Sequence, residues 1–164
     1  MSRIKVDDIR HASSSNDSIT LASDSSVSLK HSGSTKLVTT STGVSITGVD
    51  FSALLKEGVN ITAGKLSDNT NIDLDNGMVH YFTTQETTTS TPNIRFSSSA
   101  TLDSSMSVGE AISVTIITTA AAAAYSAQLT IDGAAVTENW VGGSAPSDGG
   151  SSGVDIHAYT IIKT

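Results

Sequence analysis

Apolar residues in this chain recur at every second position, in phrases of two to five, and almost nowhere at the three- and four-residue spacing of a helix. The cleanest phrase lies near the end: Val154, Ile156, Ala158 and Thr160 alternate with Asp155, His157, Tyr159 and Ile161. That is the period of a pleated strand, in which successive side chains point to opposite faces. Such a strand is expected to close a sheet begun earlier, with the Gly/Ser/Pro-rich residues 142–153 as a long turn into it and Trp140 as a pin beneath it. The pattern leaves little room for a helical bundle, and the chain reads as all-β.

Composition agrees for a physical reason. Ser (28) and Thr (22) make up 50 of 164 residues, while aromatics are 4% and charged residues 15%. Thr suits a half-buried pleated surface and Ser tolerates turns, so this mixture fits repetitive β-structure with solvated faces. Evenly spaced Val, Ile and Leu and a mean hydropathy of +0.01 argue against disorder. A net charge of −7 and nine dispersed Lys and Arg residues offer no basic patch for a phosphate backbone, so no nucleic-acid partner is expected. Without cysteine there is neither a disulfide framework nor thiolate chemistry. No apolar run approaches the roughly 18 residues of a membrane span, and MSRIKVDDIR lacks the apolar core of a secretory signal. Neither membrane insertion nor export by such a signal is expected.

Taken in order, residues 1–12 hold Ile4, Val6 and Ile9 among charges of alternating sign, as an N-terminal attachment segment or a first strand. Residues 13–50 are quasi-repetitive, with Ile19, Leu21, Val27, Leu29, Leu37, Val44 and Ile46 set among Ser, Thr and Lys, and breaks at Ser32-Gly33-Ser34 and Ser41-Thr42-Gly43. Evenly spaced short strands of this kind build a β-meander, β-prism or β-solenoid. A single thin ribbon buries little and leaves open edges, so these seven residues are expected to form the core of a stalk in which three copies intertwine. The alternative is that the segment packs on the body of its own chain.

Asp50 as N-cap, Phe51, Leu54 and Leu55 on one face, and Gly58 at the end predict one short connecting helix over residues 51–58, docked by its apolar side. Residues 59–164 are expected to form a β-sandwich or jelly-roll-like head. Hairpin turns are expected at Asn76-Gly77 and Asp132-Gly133, a central strand at Ala111–Thr119, and a loop or strand extension at residues 120–124.

Motifs for chemistry are weak. NIDLDNG at 71–77 alternates oxygen side chains like a calcium loop, but Asn76 stands where an EF-hand needs Gly and Phe82 where it needs Glu. His11, His31, His80 and His157 have no metal-ligand spacing, although His80 and His157 could meet across a sheet, or a threefold axis could gather one histidine from each copy. There is no G-x-S-x-G elbow and no phosphate cradle in the glycine-rich 142–153 loop. The sequence therefore predicts no catalytic residue, no cofactor and no enzymatic role. Trp140 and Tyr159 are the candidates for a sugar-stacking surface, against the plainer role of a buried anchor.

The phrase KLVTTSTGVSITG at 36–48 resembles the repeated K-L-x-T-T-x-x-G-V-x-[IV]-T-G element of tail-fibre and other virion proteins of marine bacteriophages, and IKVDDI at 4–9 and the segment 138–164 are similar to phrases of the same proteins. Together these cover about half the chain. The resemblance implies a non-enzymatic, usually trimeric structural protein of the virion, with a β-rich stalk and a globular head, contacting other virion proteins of the capsid or tail. Long tail fibres carry many copies of the element and this chain carries about one, which favours a short fibre or appendage. Two other readings stay open: a capsid-stabilising decoration protein, and a module that binds a host-surface glycan or receptor.

Overall fold

A computed structural model describes residues 6–41, 43–48, 54–119 and 128–164. The chain is all-β and divides into two compact units, residues 1–55 and 56–164.

The N-terminal unit is one antiparallel sheet of five strands: β1 (Asp8–Ile9), β2 (Ile19–Leu21), β3 (Val27–His31), β4 (Ser34–Thr40) and β5 (Gly43–Ile46). Each pairs with the next in the chain, which makes it a meander. The turn between β3 and β4 is set by Ser32 and Gly33, with φ of 51° and 81°. Two successive left-handed residues match the twist of a hairpin, and Ser32-Gly33 was the break expected there.

The C-terminal unit is organised differently. Strands β6 (Val59–Thr62), β8 (Val79–Gln85) and β10 (Ala111–Thr119) run parallel in one sheet, and β7 (Asn71–Asp73), β9 (Asn93–Arg95) and β11 (Thr130–Ile131) run parallel in another. The chain alternates between the two sheets, one strand in each per pass, so successive passes stack as the rungs of a short β-solenoid. The antiparallel strands β12 (Ala134–Ala135) and β13 (Val154–Ile162) then add to the last rung, one on each sheet. Of the β-sandwich or jelly-roll-like head expected for these residues, the all-β character holds, while the mainly parallel pairing within each sheet is not the order of a jelly roll.

Stacking in register builds the core. Ile72, Ile94 and Ile131 are consecutive partners across β7, β9 and β11, and Phe82, Val114 and Ile116 face inward from the other sheet. Ile72, Ile94, Val114 and Ile116 are fully buried. On the outward side of the small sheet the same register stacks polar groups: Asn93 donates to Asn71 (2.9 Å) and accepts from Thr130 (3.0 Å), and Arg95 pairs with Asp73. Like side chains meeting like at each rung is the strand counterpart of the i, i+4 pairs of a helix.

Several local expectations meet different outcomes. Ala111–Thr119 is indeed a central strand, flanked by β8 and β13, and β13 pairs with it over nine consecutive residues. Asp132-Gly133 turns the hairpin β11–β12, with φ of 51° and 81°. Asn76-Gly77 does not turn a hairpin: β7 and β8 belong to different sheets, a 3-10 turn at Leu74–Asn76 carries the chain across, and Gly77 (φ 118°) passes 3.2 Å, measured from where a Cβ would stand, from the Gly58 carbonyl. Of the expected helix at 51–58, residues 51–53 lie outside the described residues and residues 54–58 are not helical. Leu54 and Leu55 are 81% and 70% exposed, so no docking surface offsets the cost of nucleating so short a helix. The α-helix among the described residues is α1 (Leu102–Ser105), capped by the Thr101 hydroxyl and by Asp132, whose carboxylate accepts from the amides of Leu102 (2.8 Å) and Asp103 (3.0 Å). The run at 120–124 lies outside the described residues.

Ile94 is the middle of its aliphatic ladder, so Ile94→Ala is expected to destabilise the C-terminal unit by about 2–5 kcal/mol. A urea midpoint unchanged from the native chain would contradict the stacked-rung core.

Candidate functional site

The residues expected to form a stalk core are gathered on one face of the N-terminal sheet. Its register aligns Ile9, Ile19, Leu29, Leu37 and Ile46 in one row that crosses all five strands. A second row beside it holds Leu21, Val27, Thr39 and Val44. Every stalk residue named from the sequence is therefore on this face, together with Ile9, which sequence reasoning had placed in the attachment segment. The row on the opposite face reads Asp8, Thr20, Ser28, Val38 and Ser45. One side of the sheet is aliphatic apart from Thr39 and the other polar apart from Val38, because a period of two sends every second residue to the same side.

No described residue of the unit covers the aliphatic side. None of its described residues is buried, and Ile9, Leu29, Val44 and Ile46 are between 41% and 55% exposed. Its own polar bonds hold the strands without filling that face: the Val27 amide donates to the Thr39 hydroxyl at 2.9 Å, and the Lys30 amide donates to the Ser18 carbonyl at 2.8 Å. A single pleated layer satisfies its backbone but has no second layer for its apolar side.

His11 and His31 are exposed in the N-terminal unit, and the remaining candidates lie in the C-terminal unit. Trp140 and Tyr159 are both half-buried and meet edge to face, 6.2 Å between centroids at 70°. Tyr159 also stacks on His157, 6.4 Å away at 12°. Each of these rings thus has an aromatic neighbour. His80 and His157 do not meet: both are register partners of Ile116, one on each side of it, so a whole strand separates them. Among the described residues no group of three His, Asp or Glu side chains converges on a point that could hold a metal ion. Within NIDLDNG, Asp73 is taken by Arg95.

No family model matches this chain. Curated proteins and solved structures give no match either.

The two inward histidines give the C-terminal unit a pH dependence. His80 is almost wholly buried; its Nε2–H donates to the Gly77 carbonyl (3.0 Å), which leaves Nδ1 to accept from the Asn60 amide (3.3 Å). Burial pushes its pKa below the ordinary value of 6.5, against the Gly77 bond and the charge of Asp73. Burial lowers His157 as well, against Asp155. Both are thus kept neutral in the fold, while the unfolded chain takes up the protons first. Stability is fully present above pH 6.5 and declines as pH falls below it. Denaturant midpoints measured from pH 7.5 down to 5 should fall for the native chain and fall less for His80→Gln. A native midpoint that does not drop over this range would contradict the assignment.

Proposed function

We propose that this protein is a structural component of a bacteriophage virion, a short homotrimeric fibre or appendage in which the N-terminal sheets of three copies pack their aliphatic faces together. The observation that carries the reading is the five-strand row of Ile9, Ile19, Leu29, Leu37 and Ile46, continuous in register and uncovered by the described residues of its unit. A sheet of this kind is half of a structure, and copies of itself are the cheapest source of the other half. The likeness of residues 36–48 to the fibre element supports the same conclusion, since β4 and β5 are the strands it encodes. The mechanism is mechanical: a symmetric oligomer displays its C-terminal units several at a time, and multivalency multiplies weak contacts to virion proteins or a host surface. The chain's place is on the virion, without a catalytic step.

Light scattering on the purified chain should give three times the 16.8 kDa chain mass. Leu29→Asp, which places a charge in the middle of the row, should reduce that mass while leaving the C-terminal unit folded. A native chain that stays monomeric at micromolar concentration overturns the trimer. An antibody raised against the chain should decorate the phage particles; particles devoid of the protein overturn the virion assignment.

A further inference from the structure

The C-terminal unit carries a second apolar face that its described residues leave uncovered, on residues to which the sequence pattern assigned no contact. In the sheet ordered β13-β10-β8-β6, the inward positions form the core and the alternate positions point outward. Register aligns Ile61, Tyr81, Ile117 and Ile156 in one outward row and Val59, Val79, Thr115 and Ala158 in the next. Outward positions of the four strands are aliphatic, Tyr, Ser, Thr or Ala, with Gln85 at the end of β8, and none carries a charge. Solvated sheet faces normally alternate polar outward. Here Val59, Ile61, Ile156 and Ile162 are 48%, 64%, 63% and 61% exposed.

The geometry points to this face as a contact between copies of this chain, sheet against sheet. Four strands about 4.8 Å apart and roughly 25 Å long present a projected face on the order of 500 Å². That is as large as the largest apolar patch of an ordinary monomer. Counted on both partners it reaches about 1,000 Å², the size at which specific interfaces begin. Charge selects the occupant. A chain of net charge −7 repels its own copies over most of its surface, and an uncharged face is where two of them can approach without placing like charges together. A basic partner, drawn by the acidic surface, would find no carboxylate here to pair with. Self-packing also asks for no second sequence, because an outward row of Ile and Tyr is complementary to itself at the usual ~10 Å spacing of stacked sheets. This contact uses residues distinct from the N-terminal row and holds wherever the protein is displayed.

The chain has no cysteine, so a single introduced thiol reports one position only. Ala158→Cys stands in the middle of the face and is exposed in a single chain, while Val141→Cys, 104% exposed on a loop, serves as the reference. In full-length protein at high concentration, Ala158→Cys should alkylate about tenfold more slowly than Val141→Cys, as for a thiol reached only from a minor dissociated state of roughly 10%. Dilution should remove the difference. In parallel, Ile156→Lys should lower the mass measured by light scattering, whereas Val141→Lys should not. Equal alkylation of the two thiols at every concentration overturns the contact. So does protection of Ala158→Cys in a chain of monomer mass, which would mean that something else covers the face. Should Ile156→Lys fail to fold, the alkylation comparison decides by itself. Combining Ala158→Cys with Leu29→Asp separates this contact from the N-terminal one. Protection that survives in the double variant keeps this face as an interface even if the N-terminal sheets do not associate. A mass lost to Leu29→Asp alone, with Ala158→Cys freely reactive in the native background, leaves only the N-terminal contact.

Discussion

Register is the constraint on which both units depend. Once β6, β8 and β10 pair in parallel, every residue of one strand has a fixed neighbour on the next, and the period of two then assigns each side chain to the core or to the outside. In the C-terminal unit this stacks Ile72 on Ile94 on Ile131, and Asn71 on Asn93 on Thr130. A slip of one residue would exchange the aliphatic ladder for the polar one. The ladder thus serves at once as hydrogen-bond scaffold and as sorting device, and the second sheet supplies the layer against which the sorted residues pack.

The N-terminal unit obeys the same rule without that second layer. Its meander sorts Ile19, Leu29, Leu37 and Ile46 to one side as cleanly as the solenoid sorts its core, yet no residue described there is buried. Hairpin geometry at Ser32-Gly33 and cross-strand bonds suffice for a sheet; they do not suffice for a core. That contrast leaves the aliphatic side of the described sheet open to a further layer. In the C-terminal unit several polar groups hold the structure together: Asp132 caps α1, Arg95 holds Asp73, and the buried Glu86 carboxylate accepts from the amides of Leu66 and Ser67 at the start of a 3-10 turn.

Period and turn chemistry are local, and they were legible without coordinates. The β-prone run Ala111–Thr119 and the alternation from Val154 to Ile161 identified strands, Asp132-Gly133 identified a hairpin, Ser32-Gly33-Ser34 a break between strands, and the seven residues from Ile19 to Ile46 were grouped as apolar positions of one repetitive β segment. Local signals failed where two structures share one signature. Asn76-Gly77 offers the same left-handed freedom to a hairpin and to a crossover between sheets, and only the partner of the strand that follows tells them apart. Leu54 and Leu55 have helical spacing, but spacing does not provide the surface a short helix needs.

The amino-acid sequence by itself determined that the chain is all-β, which residues share a face within each strand, and that no charge cluster or cysteine is present for binding or redox chemistry. Tertiary structure alone decided which strands become neighbours, that those neighbours run parallel in the C-terminal unit, and that the outward row of Ile61, Tyr81, Ile117 and Ile156 forms one continuous apolar surface. The reason is range. Side-chain alternation is written within a few consecutive residues, whereas Ile61 and Ile156 become parts of one face only through ladders that join positions far apart in the chain.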